Sequence, residues 1–106
     1  MNALVSIITP SYNSAKFIAE TIQSVQNQTY QNWEMIIVDD GSSDETENVV
    51  LSIIQNDNRI QFHKLSQNSG PAVARNTGIK KASGYYMTFI DADDIWFPTF
   101  IENNIK

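Results

Sequence analysis

The sequence contains no cysteine. That excludes a disulfide framework, a thiol nucleophile and a thiolate metal site, and it leaves the redox compartment unconstrained. Histidine is almost as scarce: His63 is the only one, and it falls within a β-prone run. A zinc site or a Ser-His-Asp triad therefore has almost nothing to be built from, and His63 reads as structural. Basic residues are few, seven Lys and Arg against twelve Asp and Glu, for a formal charge of −5. This balance argues against a basic face for nucleic acid. The start, MNALVSIITP, lacks a basic region, and its apolar run is too short for a signal peptide or a membrane span. A cytoplasmic protein is the expectation, peripheral to a membrane at most. No G-x-G-x-x-G follows the first apolar run and no G-x-x-x-x-G-K-[ST] occurs, so neither the dinucleotide fingerprint nor a P-loop is present.

What the sequence does have is a regular alternation of two periodicities. Ala3 to Thr9 is a continuous β-prone run ending at Pro10, the pattern of a strand buried on both faces. From Ser14 to Gln28, Ile18, Ile22 and Val25 recur at helical spacing, with the glutamines mostly on the other side. Glu34 to Val38 predicts a second strand. Ser42 and Glu45 have capping-box spacing ahead of a helix whose stripe is Val49, Val50, Ile53 and Ile54. Ile60 to Leu65 predicts a third strand. Pro71 opens a third helix that ends before Gly84. Tyr85 to Ile90 predicts a buried fourth strand, and Pro98 opens a last helix.

This order, β-α-β-α-β-α-β, predicts an α/β fold: a Rossmann-like, mostly parallel sheet with helical crossovers. The 106 residues suffice for one small domain or part of a larger one. In such sheets the ligand crevice lies at the carboxyl ends of the strands, near the reversal of strand order. Four segments are thereby sent to one edge: Thr9 to Asn13, Asp39 to Ser42, Ser66 to Gly70, and Asp91 to Asp94. The Gly41-Ser42-Ser43 turn has two readings, a phosphate-binding turn or a helix cap.

The last segment, FIDADDIW, places three carboxylates within four residues at the end of an apolar strand. Repulsion and desolvation oppose that arrangement. Asp91 and Asp93 point the same way in an extended segment, and a turn would bring Asp94 alongside. Such an all-oxygen set suits Mg²⁺ or Mn²⁺, commonly held by carboxylates together with substrate phosphates. The competing reading is that Asp93 and Asp94 cap the next helix. A bridging dication would also let an acidic cleft accept an anionic diphosphate.

Taken together, VSIITPSYN, SVQNQTYQNWEMIIVDDGSSDET and NSGPAVARNTGIKKASGYYMTFIDADD resemble the N-terminal, donor-binding part of the inverting family-two glycosyltransferases, which have the GT-A nucleotide-diphospho-sugar fold. The resemblance runs from Val5 to Pro98. It implies that Thr9, Pro10 and Tyr12 line a nucleobase and ribose pocket. It implies that Asp40 accepts a hydrogen bond from a base N–H, which selects uracil or another base carrying a ring N–H. Asp39 is then a base contact or a strand-end cap, and Arg75 a nucleotide contact or a structural ion-pair partner. Asp91 and Ala92 fall on the nucleotide-sugar side of the Asp-x-Asp signature, Asp93 is the ligand of Mg²⁺ or Mn²⁺, and Asp94 supports it.

The implied reaction moves a sugar from a nucleotide-diphospho-sugar, a UDP-sugar first of all, to an acceptor hydroxyl with inversion. In that family the general base is a carboxylate well beyond the signature, so it is expected past Lys106, together with the pocket for a glycan or lipid-linked acceptor. Glu102 is the sole carboxylate after Asp94, and nothing marks it as that base. Residues 1–106 are thus expected to be the nucleotide-sugar-binding part alone. The rival classes are a non-catalytic nucleotide-sugar-binding module, a haloacid-dehalogenase-like phosphatase and a phospho-accepting receiver domain. The last two need their acidic motif on an early strand, where this chain has Thr9 and Pro10.

Overall fold

The computed structural model describes residues 2–105. Strands β1 (Val5–Ser11), β2 (Trp33–Asp39), β3 (Ile60–Lys64) and β4 (Tyr86–Phe89) alternate with helices α1 (Ile18–Gln26), α2 (Thr46–Ile54), α3 (Pro71–Lys81) and α4 (Phe100–Asn104). The sheet order is β3-β2-β1-β4 and every pairing is parallel. Successive strands step outward from β1 to β3, and then the chain returns across the sheet to set β4 on the other side of β1. With right-handed crossovers, that reversal puts α3 on the face opposite α1 and α2. The packing follows: Val5, Ile7, Met35 and Ile37 pack with Ile18, Ile22 and Val50, whereas Ile36 and Val38 pack against Ala74 of α3.

β1 is buried on both faces, as its unbroken apolar run predicts. It continues past the expected stop at Pro10, which pairs with Val38 inside the ladder. The sides of the strand explain the tolerance. Ile8 offers its carbonyl to Ile90 on the β4 side, while Ser11 offers its carbonyl to Asp40 on the β2 side. By alternation Pro10 faces the β4 side, where the last register pair is Ile8 with Phe89. Its missing N–H falls where the neighbouring strand has already left. Gly78 of α3 sits directly over this strand. A Cβ there would lie 2.6 Å from Ile8 Cγ2, so the helix packs at a distance only glycine permits.

Polar locks close the opposite end of the sheet. Glu34 accepts hydrogen bonds from the Ser6 hydroxyl at 2.6 Å and the Ser83 amide at 2.8 Å, fixing the turn into β4. Trp33 is fully buried under the Arg59 guanidinium, 3.7 Å from the ring centroid. Arg59 also pairs with Asp57 at 2.9 Å.

Three expectations are revised. First, β4 is not a buried strand but an edge, with Met87 and Phe89 exposed on the α3 side because α3 covers β1 and β2 instead. Second, α1 begins at Ile18 rather than Ser14, since the Ser14 carbonyl is taken up in a turn by the amides of Phe17 and Ile18. Third, Gln28 is not on a solvated face. It is buried, its amide donates to the carbonyl of Phe97 at 2.6 Å, and its oxygen accepts from the amide of Ile101 at 3.0 Å. With Thr21 donating to the Ala92 carbonyl at 3.0 Å and Ser24 accepting from the Trp96 amide at 3.2 Å, α1 clamps the whole segment after β4.

Gln28→Leu keeps the volume but orphans the amide of Ile101 and the carbonyl of Phe97. It is expected to cost about 1–3 kcal/mol in urea unfolding; an unchanged midpoint would contradict the clamp. Asp57 gives a pH-dependent contribution. The hydrogen-bonded Arg59 guanidinium holds its carboxyl at about 2, against an ordinary 3.8. A folded value below the unfolded one stabilises above the unfolded pKa and is lost as pH falls through the folded pKa. Asp57→Asn should therefore lower the urea midpoint at pH 7, with the gap to wild type closing as pH falls from 3.8 to about 2. A gap independent of pH would rule out the ion pair as its source.

Candidate functional site

The site is assembled at the carboxyl ends of the strands, and neighbouring carboxylates hold its loops. Asp39 is fully buried at the end of β2. It accepts the Ser11 hydroxyl at 2.8 Å, the Ser42 amide at 2.8 Å and the Ser42 hydroxyl at 2.6 Å. Asp39 is thus the strand-end cap, one of its two sequence readings. Asn13, in the left-handed region at φ 48°, receives the amides of Ser43 and Asp44 on its side-chain oxygen. Its own amide donates to the Ser42 hydroxyl at 2.8 Å.

These bonds settle two expectations about the turn. The expected Ser42–Glu45 capping box does not form, because the Ser42 hydroxyl is committed to Asp39 and Asn13 and α2 starts only at Thr46. The amides of Ser42 and Ser43 are likewise spoken for, so they are not free donors for a phosphate. Asp44 caps the entry to α2 instead, and the Thr46 hydroxyl holds its carboxyl below the ordinary value.

Beside this network lies a cleft of about 410 Å³. Pro10 of β1 and Tyr12 just after it supply an apolar wall, with Pro71 and Ala74 of α3 opposite. Asp40, Asn68, Arg75 and Asp91 supply the polar groups. Tyr12 is half exposed, with a ring free to cover a flat ligand. Asp40 is buried at the rim, accepting the Ser69 amide at 2.7 Å and the Gly70 amide at 2.9 Å, one on each oxygen. Arg75 is half buried, and among the described residues no hydrogen bond or ion pair is formed by its guanidinium. The structural ion-pair alternative for Arg75 is not realised there.

Asp91 joins the cleft to the acidic cluster. A turn closed by the Asp94 amide on the Asp91 carbonyl, 3.1 Å, folds the segment back on itself. Carboxylate oxygens of Asp91, Asp93 and Asp94 then lie within 4.8 Å of one another, all exposed. None is consumed by a helix cap: α4 begins at Phe100 and has no side-chain cap. The donors are all hard oxygens, facing solvent and adjoining the cleft, and this set fits a divalent cation such as Mg²⁺ or Mn²⁺.

The structure does not gather every expected residue. Thr9 is fully buried within β1, its hydroxyl without a hydrogen-bond partner among the described residues, and it does not line the cleft. Ala92 is buried too, and the hydrogen bond accepted by its carbonyl faces α1, away from the cleft. His63 lies on β3 outside the cleft with Nε2 3.0 Å from Gln61 Oε1, and burial depresses its pKa, helped by nearby Lys81. Asn68, Pro71 and Ala74 line the cleft without having been given a site role from the sequence. The signal for Asn68 was positional, a small polar residue in the loop after β3, two places before Gly70.

Comparison with known proteins agrees with this geometry. Residues 6–106 match the model of glycosyl transferase family 2. The chain is 47% identical over 103 residues to the UDP-Glc:alpha-D-GlcNAc-diphosphoundecaprenol beta-1,3-glucosyltransferase WfgD of Escherichia coli, covering 97% of this chain and 40% of that protein. It spans less than half the length of the curated relatives it matches. Among solved structures it is similar to S. aureus TarS in complex with UDP, at a TM-score of 0.87 and 32% identity over 93% of this chain and 30% of that one. It is also similar to the mannosyltransferase PcManGT from Pyrobaculum calidifontis in complex with GDP-Man and Mn²⁺, with a TM-score of 0.85 and 28% identity over 91% of this chain and 29% of that one. Matched by that family model over nearly its whole length, the chain belongs to glycosyl transferase family 2.

Proposed function

We propose that this chain forms the donor site of a metal-assisted, inverting glycosyltransferase that takes a nucleotide-diphospho-sugar, with a uridine donor as the first choice. The observation that carries the reading is one cleft bounded by Tyr12, Asp40, Arg75 and Asp91, joined directly to the carboxylates of Asp93 and Asp94. Tyr12 covers one face of the base. Asp40 accepts the ring N–H of the base from the buried rim. Uracil and guanine both carry such an N–H, and the complexes of the similar structures contain UDP and GDP-Man. Arg75, with no ion-pair partner among the described residues, contacts the diphosphate.

Asp93, with Asp91 and Asp94, would hold Mg²⁺ or Mn²⁺, which when bound would supply positive charge beside the departing diphosphate. The acceptor hydroxyl must also lose its proton to a base. Asp40 and Asp91 are the carboxylates lining the cleft, and both are assigned to the donor. The resemblance places that base, with the pocket for a glycan or lipid-linked acceptor, past Lys106, and no residue of this chain is assigned to either.

Two substitutions test the reading by titration calorimetry on folded protein. Asp93→Asn should reduce Mn²⁺-dependent affinity for UDP about tenfold or more, with one charged ligand lost at nearly constant volume. Equal metal-dependent affinity would remove Asp93 as the ligand. Asp40→Asn replaces an acceptor by a donor without emptying the rim. It should cut the preference for UDP over CDP by roughly tenfold to a hundredfold, the value of one charged hydrogen bond. A wild-type protein that binds UDP and CDP equally would refute the base-reading role.

A further inference from the structure

Asp40 does not hold its own position. Its neighbour Asp39 is fixed by serine hydroxyls, whereas the Asp40 carboxylate is held by backbone alone, the amides of Ser69 and Gly70 at 2.7 and 2.9 Å. Successive amides converge on one carboxylate only where the backbone takes an unusual turn. Gly70 supplies it, at φ 97° and ψ 158°, a region essentially closed to residues with a side chain. The turn is also pressed against β2. Asn68 donates its side-chain amide to the Asp40 carbonyl at 3.2 Å, and a Cβ on Gly41 would lie 3.3 Å from the Asn68 amide nitrogen.

We infer that Gly70 is a positioning residue for base recognition. Its backbone conformation aims two amides at Asp40, occupies one lone pair on each oxygen, and leaves the carboxylate fixed with acceptor capacity for the ring N–H of a base. The inference rests on Asp40 being the base-reading group. A mobile carboxylate in this place would follow either a donor or an acceptor edge with a bridging water and would discriminate poorly. A fixed carboxylate leaves the acceptor N3 of cytosine facing an acceptor, an unpaired contact that binding energy must absorb.

The position allows a clean test, because a Cβ on Gly70 would meet nothing within 4 Å. Gly70→Ala therefore changes the backbone conformation without a steric clash. Affinities for UDP, CDP and inorganic pyrophosphate would be measured with Mg²⁺ on wild type and on Gly70→Ala shown to be folded by circular dichroism. The expected result is a UDP-to-CDP preference reduced about fivefold or more, with pyrophosphate affinity unchanged. A folded variant that keeps the wild-type preference overturns the inference while leaving the donor-site reading intact. Equal losses for all three ligands overturn it too, since they would signify a general structural role. A wild-type protein with no preference for UDP refutes the base-reading role of Asp40 and this inference with it.

Should Gly70→Ala not fold, amide hydrogen exchange of the wild type by NMR decides. Protection of the Ser69 and Gly70 amides should rise with UDP and Mg²⁺ and not with pyrophosphate and Mg²⁺. Equal protection by both would tie the turn to phosphate rather than to the base and overturn the proposal.

Discussion

Everything in this fold hangs on β1 being paired on both sides. Its odd residues are bonded to β2 and its even residues to β4, so the strand that comes first in the chain lies inside the sheet. A strand paired on both edges and covered on both faces must be apolar throughout, and Val5 to Ile8 meets that demand apart from Ser6. Ser6 is satisfied through Glu34 and Gly84. The reversal of strand order on either side of β1 opens the crevice at its carboxyl end. Tyr12 just after β1, Asp40 just after β2 and Asp91 two residues past β4 are brought there by topology rather than by any attraction among them. Their mutual repulsion is overcome by core burial elsewhere, and that lets an acidic site exist.

The charge of the chain, −5, is unfavourable for a diphosphate ligand. The structure offsets it locally. Arg75 lies in the cleft without an acidic partner among the described residues, while Asp39, Asp44 and Asp57 are each engaged by hydroxyl, amide or guanidinium donors. Acidic side chains used for structure are thus separated from those left free. The free ones gather at the turn after β4, with oxygens within 4.8 Å of one another. A cation bound there would reverse the sign of the field that an incoming phosphate meets.

The parts of the fold legible in the sequence were those fixed by periodicity. The strands and the first two helices follow from runs of two repeating spacings, the last two helices from Pro71, Gly84 and Pro98, and the location of the site from the parallel sheet this order implies. What was hidden depends on contacts distant along the chain. Pro10 looked like a strand terminator because its missing N–H costs nothing only if β4 has already diverged, a fact about residue 89. Gln28 looked solvated because a helical wheel has no knowledge of the loop that folds over it near Phe97 and Ile101. β4 looked buried because Met87 and Phe89 are apolar, yet burial requires a covering layer, and α3 lies over β1 and β2. The site shows the same division. Tyr12, Asp40, Arg75 and Asp91 converge as motif and topology implied, while Thr9 and Ala92 have the right sequence position but the wrong face.

Face is decided by a single step along the strand, and the adjacent pair Asp39 and Asp40 shows the consequence. A strand alternates its side chains with a period of two, so neighbouring carboxylates must leave β2 on opposite sides. Asp39, opposite Ser11 in the register, turns toward the hydroxyls of Ser11 and Ser42 and is fully buried there. Asp40 turns the other way, toward the start of α3 and the cleft. Neither residue could exchange roles with its neighbour without a shift of register, and a shift would move Met35 and Ile37 from the α1 and α2 face to the α3 face and Ile36 and Val38 the other way. The register of β2 against β1, set by the demands of folding, thereby fixes which carboxylate braces the loops and which one faces the cleft.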